Sequence, residues 1–73
     1  MGINTSVLKK KINEKSMSVD QVAKEIGIDR ATFYRKMKSG GVKFTVAEVQ
    51  RIIDVLHLSE EEAIMIFFVK EVA

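Results

Sequence analysis

The sequence predicts an all-α fold, a compact five-helix domain that takes in residues 1–73. Three observations carry that expectation. A Ser or Thr answered three positions later by Glu or Gln recurs at Ser18/Gln21, Thr45/Glu48 and Ser59/Glu62, each the reciprocal cap that opens a helix. An apolar residue precedes each cap and another lies five positions on, Met17 with Val22, Phe44 with Val49 and Leu58 with Ala63, as a hydrophobic staple requires. Elsewhere apolar residues recur at helical spacing, and no proline, strand pair or sequence repeat interrupts them.

The elements follow in order. A first helix is expected from about Ser6 to Lys15. Ser18 opens the second, whose apolar stripe is Val19, Val22, Ala23 and Ile26, and Gly27 ends it by taking the left-handed conformation that a branched residue resists. Gly27→Val is therefore expected to unfold or misdirect this segment. Asp29 caps a third helix from Arg30 to Lys38, and two helices so closely joined form a helix-turn-helix over about residues 19–38. Small Ala23 lets the third helix approach closely. Gly40 and Gly41 end that helix and open the loop to the fourth, where Val49, Ile52, Ile53 and Leu56 face the same core as the second helix. The fifth helix is expected over about residues 60–72.

Composition narrows the possible functions. A chain of 73 residues, 47% hydrophobic and 30% charged, is globular and has room for one domain but little for a second, ligand-sensing or catalytic module. Without cysteine it has no disulfide framework, thiolate metal site or cysteine nucleophile. Lys9, Lys10 and Lys11 lie within the first helix and no long apolar run follows, so neither a signal peptide nor a membrane span is expected, and a cytoplasmic location is. Residues 1–43 hold ten Lys/Arg against four Asp/Glu, whereas residues 44–73 hold two against six. Clustered positive charge attracts polyanions, although Lys9 to Lys11 alone also suits a solvated helix face.

The third helix carries most of the functional information. Stepping about 100° per residue puts Phe33 and Met37 on one side, Ala31, Tyr34, Arg35 and Lys38 on another, and Arg30 at the edge between them. The first pair belongs to the core. The second set is basic and aromatic, and no acidic residue interrupts Arg30 to Lys38. A DNA major groove admits a helix, and there arginine forks to guanine O6 and N7 while Ala31 or the Tyr34 ring can touch a thymine methyl. Tyr34 also suits half-buried packing. Arg35 suits a base edge or a phosphate, and Lys38 suits a phosphate better.

Val22-Ala23, Gly27-Ile28-Asp29 and Phe33, followed by Met37 and Gly40, resemble the helix-turn-helix of the lambda-type phage repressor and Cro family, over roughly residues 6–68. The resemblance implies a five-helix, lambda-repressor-like DNA-binding domain whose third helix reads bases. Carried across, base contact falls on Arg30, Ala31, Tyr34 and Arg35, and phosphate contact on Thr32, Lys38 and Lys43. The family often opens the second helix with a glutamine that bonds a phosphate and steadies the next helix, where this chain has Val19. Many members carry an arginine late in the first helix, where Ile12 stands here and implies an apolar contact.

The run from Ala63 to Val69 is apolar around the whole helix, so one face can cover the core while the rest marks an interface. Members of the family often pair near this end as two-fold dimers, with recognition helices about one DNA turn apart on a palindromic site. A homodimer using Ile64, Met65, Phe67, Phe68 and Val72 is expected; the alternative is a monomer whose core absorbs the helix. Catalysis is not expected. His57, the single histidine, lies near a helix end, and Glu60, Glu61 and Glu62 occupy a first turn where negative charge suits the helix dipole. No cofactor, metal or small-molecule effector is implied. The expected function is a double-stranded DNA-binding transcriptional regulator, a phage or prophage Cro-like repressor that occludes its operator. The alternatives are a helical protein-interaction module that uses the apolar fifth helix, and an activator with the same DNA chemistry.

Overall fold

A computed structural model describes residues 3–40 and 43–68. Five helices follow one another: α1 (Thr5–Glu14), α2 (Val19–Ile26), α3 (Arg30–Lys38), α4 (Val46–Leu56) and α5 (Glu60–Phe67). Among the described residues there is no strand, and no helix is long and apolar enough to cross a membrane. The expected all-α fold is the observed one.

Each helix starts where a side chain satisfies amide groups that the helix itself leaves unpaired. Ser18 Oγ accepts from the Gln21 N–H at 3.2 Å, and Gln21 Oε1 accepts from the Ser18 N–H at 2.9 Å. The same reciprocal pair forms at Thr45 and Glu48, with bonds of 3.1 and 2.9 Å, and at Ser59 and Glu62, again 3.1 and 2.9 Å. Asp29 Oδ1 takes the Thr32 N–H at 2.8 Å, and Asn4 Oδ1 takes the Val7 N–H at 3.2 Å, starting α1 one residue before its expected position.

Three helices also end alike. A residue in the left-handed region stands at Ser16 (φ 58°), Gly27 (φ 84°) and His57 (φ 50°). The next residue is apolar and donates its N–H back five positions: Met17 to the Ile12 carbonyl (3.1 Å), Ile28 to Ala23 (3.0 Å) and Leu58 to Ile53 (3.0 Å). This is a Schellman-type end. Met17 and Leu58 thus close one helix and stand just before the cap of the next, which holds those connections to four and three residues. At Gly27 the constraint is backbone conformation, because an added Cβ would meet nothing nearer than Arg51 Nη1 at 3.9 Å. That arginine donates from α4 to the Ile26 carbonyl at 3.2 Å, so α4 caps the end of α2.

The core is built from Leu8 and Ile12 of α1, Val22, Ala23 and Ile26 of α2, Phe33 and Met37 of α3, Ile52 and Leu56 of α4, and Ala63, Ile66 and Phe67 of α5, with Leu58 between the last two helices. Burying a large apolar side chain contributes about 1.5–3 kcal/mol, so this shared interior supplies most of the cohesion of five short helices. Val19, Val49 and Ile53 pack at its margin. Ile12 is buried, as the apolar contact expected of it requires. Phe44 covers the open side of α3, its ring 5.3 Å from that of Phe33 in an edge-on arrangement. Backbone bonds from Ile3 to the Gly40 carbonyl (2.7 Å) and from Asn4 to the Ile66 carbonyl (2.8 Å) tie the start of α1 to the ends of α3 and α5.

One expected interface residue is corrected. Phe67, expected on a pairing surface, is 5% exposed and belongs to the core. Helical stepping turns Ala63, Ile66 and Phe67 inward together, leaving Ile64, Met65 and Phe68 outside at 50–56% exposure. α5 is described to Phe67 with Phe68 as its cap, so Val72 and the expected continuation to residue 72 lie outside the described residues, as does Gly41.

Candidate nucleic-acid interface

The sequence of α3 divides its side chains between two environments. Phe33 and Met37 are buried, and this fixes the helix so that Arg30, Ala31, Tyr34, Arg35 and Lys38 are exposed and Thr32 is partly so. Nine residues make a helix about 13 Å long, on the scale of the roughly 12 Å width of a major groove. Lys43, in the segment between α3 and α4, is also exposed. All seven residues expected to contact DNA therefore lie on α3 or in the segment that follows it.

Local bonds arrange this surface. Arg35 Nη2 donates to Thr32 Oγ1 at 3.4 Å, and Arg35 sits between two shallow grooves. One is bordered by Thr5, Lys9, Ala31, Tyr34 and Lys38, the other by Thr32, Lys36, Ser39 and Lys43. Arg30 lies with its guanidinium carbon 5.8 Å from the centre of the Tyr34 ring and its Nε 3.3 Å from Asp20 Oδ1 on α2. Tyr34 is 43% exposed, so its ring is available to a ligand as well as to Arg30. The Asp29 carboxyl is held below its ordinary range by the backbone N–H of Thr32, which keeps the cap charged.

Not every cation in the basic half is available. Lys36 Nζ lies 2.6 and 2.8 Å from the two carboxylate oxygens of Glu48 and 5.8 Å from the Phe44 ring centre, which turns it away from the exposed face of α3. Burial raises the Glu48 carboxyl, but Lys36 and the Thr45 N–H together outweigh it and hold the group below its ordinary range. Lys11 is drawn to Glu62 at 2.7 Å, with Glu14 at 3.5 Å; its hydrogen bond to Glu62 raises the ammonium and lowers the Glu62 carboxyl to about 2. Lys9 instead borders α3. The triplet Lys9 to Lys11 is thus divided: Lys11 ties α1 to α5 and Lys9 extends the basic surface. The sequence signals the basic triplet but not its division, because that depends on which side of α1 meets α3.

The arrangement has the chemistry of a surface that docks on a polyanion: forked and point cations, an aromatic face, a small Ala31 that allows close approach, and two flanking grooves. No curated protein and no solved structure matches the chain. A family model for the Cro/C1-type HTH DNA-binding domain matches residues 7–67, from within α1 to the last residue of α5. With the exposed basic face of α3 lying inside that span, the chain belongs to the Cro/C1-type helix-turn-helix DNA-binding domains.

Proposed function

We propose that this DNA-binding regulator is a Cro-like repressor of phage or prophage type that reads a palindromic operator as a homodimer and acts by covering the promoter. The observation that carries the reading is the division of α3, with Phe33, Lys36 and Met37 committed to the fold and Arg30, Ala31, Tyr34 and Arg35 exposed on the side that would face base edges. Thr32, Lys38 and Lys43 are assigned to phosphates, which position the protein without reading sequence. The exposed apolar side chains of Ile64, Met65 and Phe68 on α5 supply the pairing surface. The reading gives the domain no catalytic role, cofactor or effector, so occupancy of the site is its whole mechanism, in a cytoplasmic setting.

The same apolar side chains favour a second reading, a module that binds another protein through α5. Selection from a randomised duplex library at about 0.15 M salt separates the two. Enrichment of a palindrome with half-sites about ten base pairs apart is the expected result for a dimeric reader. Salt-labile binding with no enriched sequence overturns the repressor reading and favours the interaction module.

A further inference from the structure

We propose that Asp20 is a specificity-determining residue that directs Arg30 to a guanine and away from phosphate; the inference rests on the base-reading role given to α3 above. Asp20 lies in the first turn of α2, and its carboxylate is the one acidic group among the described residues that forms an ion pair with a cation on the exposed face of α3. The contact is made to Nε of Arg30 at 3.3 Å. A guanidinium has a side edge that includes Nε and an end edge formed by its two Nη groups. An acid beside Nε stands on the side-edge flank of the guanidinium and leaves the end edge, with its two parallel donors, for the O6 and N7 acceptors of guanine.

The Tyr34 ring holds the guanidinium from a second direction, at 5.8 Å. Arg30 thus has an anchor on each of two helices, and both it and Asp20 remain more than half exposed. Between two exposed groups such a pair stabilises the fold little. Its effect belongs to the bound state, where water is displaced and a long side chain would otherwise turn to whichever phosphate lies nearest. A phosphate taken by Arg30 would come up against the Asp20 carboxylate, whereas guanine presents neutral acceptors to the free edge. Asp20 therefore lowers affinity for DNA in general and sharpens the choice among sequences.

The test is library selection together with binding to a random duplex at several salt concentrations, for the wild-type chain, Asp20→Asn, Arg30→Ala and the double variant, with thermal melts to compare folding. Asp20→Asn is expected to bind random duplex about two- to fivefold more tightly, with a salt slope steeper by up to about one. It is also expected to lose about fivefold or more of the guanine preference at the single base-pair position that Arg30→Ala flattens. The double variant should lose no more preference there than Arg30→Ala alone. An Asp20→Asn variant that keeps the wild-type preference, or that weakens on operator and random duplex alike, overturns the role of Asp20 while leaving the reading of α3 intact. A wild-type chain that enriches no sequence overturns both.

Discussion

At the residue scale, the exposed face of α3 mixes two kinds of contact that mutation can separate. Arg35 sits between two grooves with its guanidinium steadied by Thr32, a placement that suits a base edge. Lys43 is an exposed point charge beyond the helix. Arg35→Ala is expected to relax base preference by about 1–3 kcal/mol at one position, whereas Lys43→Ala should weaken binding to all sequences similarly and flatten the salt slope by about one. Titrations on operator and random duplex at several salt concentrations check both; equal losses on the two duplexes for Arg35→Ala would remove its reading role. The division of α3 was legible from residue stepping because the two sides differ so sharply in chemistry. The withdrawal of Lys36 was not, since a lysine beside an apolar stripe can turn either way until a partner such as Glu48 is known.

At the scale of elements, helix starts were legible and helix docking was not, for one physical reason. A cap is an interaction over three residues, so Ser18, Thr45 and Ser59 announce it in the chain itself, whereas Lys36 with Glu48, Lys11 with Glu62 and Arg51 with the Ile26 carbonyl join residues brought near only by packing. Phe67 lies in the core and not on the expected pairing surface for the same reason: a helix apolar all round does not declare which side the core will take. The Lys36–Glu48 pair fixes α3 against the start of α4, and Phe44 packs beside it. Glu48→Gln keeps an oxygen for the Thr45 N–H but leaves Lys36 without an opposite charge in a site where the two side chains are 19% and 11% exposed. The expected cost is about 1–2 kcal/mol, read as a lower urea midpoint at unchanged slope, against less than about 0.5 kcal/mol for Glu61→Gln in the exposed first turn of α5.

At the scale of the whole molecule, the carboxylates at helix starts make stability depend on pH. Glu62 falls from an ordinary value of 4.5 to about 2 in the folded chain, held first by Lys11, and Glu48 and Asp29 are lowered as well. A lowered group favours the folded state wherever it is charged in both states, so this contribution is complete above about pH 4.5 and is lost as the pH falls toward 2, where the unfolded chain binds protons that the folded one refuses. Thermal melts between pH 6 and 2 are expected to show the midpoint falling through that window, and Glu62→Gln should make the fall shallower; a midpoint independent of pH there would contradict the ion pair. Glu48 and Glu62 each hold the first turn of their own helix and a lysine from another. Loosening either turn thus also releases a neighbouring helix. Helix starts are commonly the first places to fray, but here the amides of Thr45, Glu48, Ser59 and Glu62 are bonded within caps whose carboxylate also holds a lysine of another helix, so their opening passes from a local event to a collective one.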